Sequence, residues 1–373
     1  MGTYYNPVRL YWGVHCLKEA KEVIETLGKN VLLIKWSDTA LDNEAGNELT
    51  EALINCDVEE VVFTKSNPDI QDLFELYMDR KGKVTDVIVA IGGGSVLDIA
   101  KSLAAVLDKE YADVEALRRA IIEKTTGKPA CQWIGIPTTA GTGSEVTCWA
   151  TVWDSEKGSK LSLEEKNNYA YAAFVEPEFT MSMPMKLVVS SALDAAAHAT
   201  ESYWAKAHNM ISSNYALKSI RLIMENLEEV IECPKKENYE ALAAASMLAG
   251  RAFSNTKTTA CHSISYPLTL GYGIPHGVAV SLLLPSLLVI NEKEIEDVDA
   301  LLQAYGVFSL EEAGDKVKQL LSKAGISYNL SDWNVKKSDL QSIAENCFTK
   351  GRMENNPVDL KVGDVVKILE QIW

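Results

Sequence analysis

The sequence predicts an α/β domain over residues 1–184 followed by an all-α domain over residues 185–373. Three observations carry this reading. The chain has 373 residues, more than one small hydrophobic core usually serves. Its first half alternates short apolar runs with amphipathic stretches, the pattern of a mainly parallel sheet with helices on both faces. Beyond residue 185 strand signals nearly vanish and alanine-rich, helix-periodic segments take over. No internal repeat and no low-complexity linker separates the halves. Ligands of such two-domain architectures usually lie in the cleft between domains.

In chain order, VLLIKW (31–36), EEVVFT (59–64), DVIVAIGG (86–93) and QWIGIPTT (132–139) read as strands. The third is apolar throughout, as a strand covered on both faces must be. Amphipathic stretches at 69–81 and 95–107 read as helices between them. Segment 151–184 is less regular and reads as short strands and loops closing the first domain. Helical periodicity then covers 188–207, 212–232, 239–255 and 276–291, with further helices to the C-terminus.

Composition narrows the function. Hydrophobic residues make up 47% and charged ones 24%, ordinary for a soluble enzyme. A net charge of −16 argues against nucleic acid, whose affinity comes from cations neutralising phosphates, and against anionic membrane surfaces. It does not forbid an anionic substrate, because a pocket can oppose the global sign. No apolar run reaches the roughly 18 residues of a membrane span, and the first residues lack the layout of a signal peptide. A cytoplasmic location is the expectation. Seven scattered cysteines suggest neither a disulfide framework nor a cysteine-rich zinc site.

Asp194 and His198 in ALDAAAHATES, His262 in TTACHSISYP and His276 in GYGIPHGVAV are the chemically richest residues. Three of the five histidines of the chain fall here. One carboxylate and three imidazoles suffice to hold a divalent ion such as Fe(II) or Zn(II), with a position left for substrate or water. Asp194 and His198, four apart in a helical run, share one face. Taken singly, each histidine is more often a satisfied core group; together they favour a metal.

Two loops suit phosphate and polar ligands. In AIGGGSVLDIAKS (90–102) a strand runs through Gly92, Gly93 and Gly94 into a helix near Ser95. Glycines admit close approach, and a helix N-terminus offers donors and a positive dipole end. An ordinary tight turn is the plainer alternative. Ser95 is placed to cap that helix, with Asp98 completing a capping-box-like pair. PTTAGTGSEVT (137–147) adds a hydroxyl-rich loop after a strand. Asp38, just past VLLIKW, is placed to accept from an adenosine ribose and so favours NAD over NADP, with Lys35 nearby as a counterweight.

GGGSVLDIAK, PTTAGTGSEVT, the Asp194/His198 pair, His262 and the PHG around His276 together resemble the iron-containing (group III) alcohol dehydrogenase family, over nearly the whole chain. The resemblance implies an α/β N-terminal dinucleotide-binding domain, an all-helical C-terminal domain, NAD(H), one divalent metal, Fe(II) or Zn(II), and a probable homodimer. It assigns Gly92, Gly93, Gly94, Ser95 and Asp98 to the pyrophosphate loop. Thr138, Thr139, Thr142 and Ser144 belong to the hydroxyl loop, Lys160 to a cofactor contact, and Asp194, His198, His262 and His276 to the metal. Many members carry a second histidine four residues after the third ligand, with a proton-relay role; here Tyr266 stands there. Tyrosine can hydrogen-bond an alcohol, but its reference pKa near 10 suits it less to shuttling protons at neutral pH.

The stretch AGRAFSNTKTTACHSISYPLT (249–269) narrows the substrate. Arg251, Lys257 and Thr258 bring cations and a donor close to His262, and KTTAxHxxSYP resembles the branch that reduces phosphonoacetaldehyde or sulfoacetaldehyde. A two-carbon aldehyde with an anionic head is therefore expected, with NADH as reductant. Structural ion pairs for Arg251 and Lys257 are the alternative. Neutral short-chain alcohols and 4-hydroxybutyrate with succinate semialdehyde are the alternative substrates. A lyase-type synthase of the same fold needs more basic residues than this sequence offers. A non-enzymatic binding module would have no use for this ligand set.

Overall fold

The computed structural model describes residues 3–373 and divides the chain into two compact units. One unit comprises residues 6–139 and 143–180; the other comprises residues 3–5, 140–142 and 181–373.

The first unit carries, in order, β1 (Arg9–Trp12), α1 (Ala20–Glu25), β2 (Asn30–Lys35), α2 (Glu44–Ala52), β3 (Asp57–Val62), α3 (Ile70–Arg80), β4 (Val87–Gly92), α4 (Gly94–Val106), α5 (Val114–Ile122), β5 (Gln132–Pro137), β6 (Trp149–Asp154), β7 (Ser159–Glu164) and β8 (Ala172–Val175). Six strands form one sheet in the order β1-β8-β5-β4-β2-β3, every pairing parallel. β4 is buried at all six positions, as its unbroken apolar sequence requires. β6 and β7 make a separate antiparallel hairpin.

From β2 the chain moves to β3 on one side and then returns to β4 on the other. The strand order therefore reverses between β2 and β4. In open parallel sheets the crevice outside the carboxyl ends at such a reversal is where ligands bind. Asp38 follows β2, and Gly92, Gly93 and Gly94 run from the last residue of β4 into α4, so both lie at that edge.

The four expected strands are present within one or two residues of the ranges read from sequence. Segment 151–184 holds the hairpin and also β8, a full member of the sheet. One expectation is corrected. Ser95 does not cap α4, which starts at Gly94 with Gly93 at the cap position and no side-chain cap. The helix begins two residues too early for a Ser95 cap. Asp98, meant to complete the box, instead accepts from the Ser144 hydroxyl (2.6 Å) and the Thr151 N–H (2.9 Å).

The second unit is helical: α6 (Met185–Trp204), α7 (Met210–Glu232), α8 (Lys236–Thr256), α9 (Ala260–Tyr272), α10 (His276–Asn291), α11 (Val298–Tyr305), α12 (Leu310–Lys323), α13 (Leu340–Glu345) and α14 (Val362–Gln371). α6 is the axis of its core. Every residue from 188 to 204 is buried, which a helix tolerates only if it is apolar or satisfied on all faces. Its alanines let α7, α8 and α10 pack close around it. No described helix is long and apolar enough to cross a membrane.

Candidate metal centre

α6 places Asp194, His198 and Glu201 on one face, because steps of four and three residues return to the same side of a helix. α9 brings in His262 near its start and Tyr266 one turn later. α10 begins with His276 itself. Gly277 explains how α10 comes so near: a Cβ there would lie 2.3 Å from the Ser190 carbonyl oxygen and 3.2 Å from the Asp194 Cβ.

The ligand atoms of Asp194, His262 and His276 all lie within 4.8 Å of one another. His198 Nδ1 stands 3.9 Å from Asp194 Oδ2, and the His198 ring stacks on His262 at 4.3 Å and on Phe253 at 4.2 Å. The His262 and His276 rings meet edge-on at 5.4 Å, and Tyr266 stacks near His276 at 6.0 Å. Asp194, His262 and His276 thus bring their ligand atoms together, while His198 stands outside that set, stacked on His262, and Tyr266 lies near His276.

Three atoms there are buried without a hydrogen-bond partner: Asp194 Oδ1, His198 Nδ1 and His262 Nε2. The first and last are 3.5 Å apart. Leaving one such atom unsatisfied costs about 1–3 kcal/mol, so the facing Asp194 Oδ1 and His262 Nε2, with the unpartnered His198 Nδ1 in the same cluster, suit a cation. The residues present fit a divalent ion.

The electrostatics agree. Burial alone would raise Asp194, yet His198, His262 and His276 hold its carboxyl well below the usual range. Burial pushes His198 down to about 4, so its imidazole is neutral at pH 7 and has a lone pair to give. His262 is opposite: burial lowers it, but the flanking Glu201 and Asp194 carboxylates outweigh burial and push it up to about 10. A proton and a metal ion therefore compete for the same nitrogen.

Glu201 is the residue sequence reasoning missed. It is wholly buried. Its Oε1 accepts from Thr259 N (3.0 Å), Thr259 Oγ1 (2.7 Å) and Cys261 N (2.8 Å), which satisfies the start of α9. Its Oε2 accepts from His262 Nδ1. A histidine whose Nδ1–H is held by a carboxylate turns Nε2 outward as a ligand. The available signal was the spacing, since 194, 198 and 201 share a helix face.

The remaining predicted residues are placed as follows. Thr138 N donates to Gly92 O (3.0 Å), tying the hydroxyl loop to the glycine loop where β4 and β5 end side by side. A Cβ at Gly93 would lie 3.2 Å from the Thr139 methyl. Ser144 is bound to Asp98 as above and also accepts from the buried Lys101 ammonium (2.9 Å). Thr142 belongs to the helical unit, whose short segment 140–142 packs Gly141 against Ser191. Lys160 lies on β7 with its ammonium 5.6 Å from the Trp153 ring. Asp38 is exposed. Arg251 is bonded to Tyr4 (3.4 Å) and lies over the Tyr215 ring (5.3 Å). Lys257 ends α8, and Thr258 is buried just after it.

A parallel α/β unit with a glycine loop at its reversal point, joined to a helical unit holding one carboxylate and three imidazoles, defines a metal-dependent oxidoreductase class. Comparison with known proteins agrees. The chain matches the iron-containing alcohol dehydrogenase model over residues 7–177 and the Fe-containing alcohol dehydrogenase C-terminal model over residues 188–373. It belongs to the iron-containing alcohol dehydrogenase family. It is 32% identical to a phosphonoacetaldehyde reductase of Streptomyces viridochromogenes over 74% of this chain and 68% of that protein. It is 27% identical to an NAD-dependent methanol dehydrogenase of Bacillus methanolicus over 99% of each. The crystal structure of a Bifidobacterium kashiwanohense sulfoacetaldehyde reductase in complex with NAD+ superposes with a TM-score of 0.90 at 26% identity, covering 100% of this chain and 98% of that one.

Proposed function

We propose that this protein is a metal-dependent, NADH-linked reductase of a small aldehyde carrying an anionic head two carbons from the carbonyl, a sulfonate or a phosphonate. The observation that carries the metal-dependent reading is the trio of buried, unpartnered atoms on Asp194, His198 and His262. The substrate class is supported by Lys257 and Thr258, which stand immediately before the segment bonded to Glu201, and by the similarity to reductases of both anionic aldehydes.

In this reading Asp194, His198, His262 and His276 hold the ion, with Glu201 setting the tautomer of His262. When bound, the ion supplies a Lewis acid for the carbonyl oxygen and the reduced nicotinamide supplies a hydride. The chain does the rest. Gly92, Gly93, Gly94 and Ser95 at the start of α4 receive the pyrophosphate, with Asp98 shaping the loop. Thr138, Thr139, Thr142, Ser144 and Lys160 line the cofactor. Asp38 accepts from ribose hydroxyls and disfavours a 2′-phosphate. Tyr266 offers a hydroxyl beside His276 to orient the alcohol oxygen or pass it a proton. Arg251, Lys257 and Thr258 bind the head with charge-assisted bonds. The balance is one hydride to carbon and one proton to oxygen, consuming NADH and H+ and releasing NAD+ and the alcohol.

A second reading, a neutral short-chain alcohol, is favoured by the similarity to methanol dehydrogenase across nearly the whole chain. NADH oxidation by Fe(II)- and by Zn(II)-reconstituted enzyme across sulfoacetaldehyde, phosphonoacetaldehyde, succinate semialdehyde and propanal separates the two. Higher kcat/KM on the sulfonate or phosphonate supports the first; preference for propanal replaces it with the second.

A further inference from the structure

Lys257 has φ 64° and ψ 177°, a region that residues with a Cβ essentially leave to glycine. It differs from His15 and Asn334, whose positive φ comes with ψ 22° and 17°, the ordinary left-handed region that single residues visit. Such strain persists only where the surroundings over-determine it, and it gathers at functional sites.

The surroundings here do so. Lys257 N donates to Phe253 O (2.8 Å), closing the end of α8. The Thr256 hydroxyl donates to Lys257 O (3.0 Å) and accepts from the Ser202 hydroxyl (2.9 Å). The Asn355 amide donates to Thr256 O (2.8 Å) and Thr258 O (3.1 Å), so one side chain grips the carbonyls on both sides of Lys257. Thr259 is held by Glu201 and by the Trp204 N–H (2.9 Å). These bonds use the backbone of residue 257 or atoms of other residues. A glycine would keep these main-chain bonds and relieve the backbone strain, at the loss of the side chain and its own contacts. What a glycine lacks is the ammonium.

We propose that Lys257 is the specificity-determining cation for the anionic head, held in a glycine-type backbone conformation to present it, and that Asn355 is the positioning residue that maintains this bend. The proposal rests on the anionic-aldehyde reading above. Along the chain, Lys257 is two residues before Thr259, which is bound to Glu201, the residue that holds His262.

The test compares wild type with Lys257→Gly, Lys257→Arg, Asn355→Ala and Asn355→Asp, all metal-loaded. Each is melted without substrate and assayed with NADH on sulfoacetaldehyde and propanal. Lys257→Gly should melt higher than wild type, while the ratio of kcat/KM on sulfoacetaldehyde to that on propanal falls by about 100-fold, as loss of a charged partner implies. Lys257→Arg should recover most of that ratio. The Asn355 variants should melt lower and lose about 10-fold in the ratio through KM, as expected of one lost hydrogen-bonding group. A Lys257→Gly protein that melts no higher overturns the strain argument. An unchanged ratio in it overturns the role of the cation, and equal losses on both aldehydes in the Asn355 variants reduce Asn355 to a structural residue. Wild type alone tests the underlying reading: a preference for propanal overturns that reading and the role of the cation, and the melting temperatures still decide the strain.

Discussion

Replacing Glu201 by glutamine keeps the shape of the side chain and removes only its charge and one acceptor. The amide oxygen can take over from Oε1 and keep the bonds from Thr259 and Cys261. The amide nitrogen then faces His262 Nδ1, where Oε2 was the acceptor. Two donors cannot share that line, so the proton of His262 moves to Nε2, the atom proposed to bind metal. Flipping the amide instead abandons three bonds at the start of α9. A carboxylate partner of a metal-bound histidine is worth about 10–100-fold in metal affinity, or about 1.4–2.7 kcal/mol. A charge-assisted bond contributes a further ~1.5–3 kcal/mol to the fold. Titrating metal-free wild type and Glu201→Gln against a competing chelator, with metal counted by mass spectrometry, measures the first quantity; thermal melts of both metal-free proteins measure the second. Wild-type metal affinity in Glu201→Gln would refute the tautomer argument, whatever the melts show.

Three further outcomes follow from named contacts. Gly277→Ala drives a Cβ into the Ser190 carbonyl at 2.3 Å, so α10 must withdraw from α6; metal stoichiometry should drop well below one per chain, and full occupancy would show that the helices adjust. Asp38→Ala should weaken NADH or admit NADPH, read as the ratio of kcat/KM for the two cofactors; a wild type indifferent between them removes the role of Asp38. Asp86 accepts from Asn30 N (2.9 Å), Asn30 Nδ2 (2.7 Å) and Lys29 N (3.0 Å), and these bonds, the one from Asn30 N foremost, hold its carboxyl below the usual range. A depressed folded value means stability present above the unfolded value of about 3.9 and lost as pH falls through the folded one. Wild type should therefore out-melt Asp86→Asn at pH 7, with the gap closing below about pH 4; an equal gap at pH 3 and pH 7 would show that the charge plays no part.

How much of this was legible in the sequence depends on whether the signal is local. Asp194 and His198 declare themselves by a four-residue step in a helical run, and β4 by an unbroken apolar stretch ending in glycines. The gathering of His262 and His276 onto α6 follows from the ligand chemistry taken as a set. The short strands were harder. β1 is four residues long with an exposed-to-half-buried pattern, and β8 is only AAFV; each is a strand because of the neighbour it pairs with, which no local pattern encodes. Ser95 looked like a cap because serine before a helical run usually is one. Asp98 had a better partner in Ser144, 46 residues away in the chain. Apart from its spacing from Asp194 and His198, Glu201 carries no sign in the sequence that sets it apart from other acids; its role follows from the burial of α6 on every face. Asn355 gave no local sign of its grip on residues 256 and 258.

The total burial of α6 between residues 188 and 204 also says where this protein can change. A helix walled in on every side leaves no room for larger side chains and no water to accept polar ones, so drift along it is penalised at nearly every position. The bend at Lys257 and Thr258 lies between helices, held by bonds to its main chain, in a backbone conformation that suits glycine better than any side chain at position 257. With the roles proposed above, a lineage could exchange one aldehyde for another by rewriting those two residues while α6 stays untouched. On that proposal chemistry and appetite are inherited separately, one locked in the interior and the other carried on a short link.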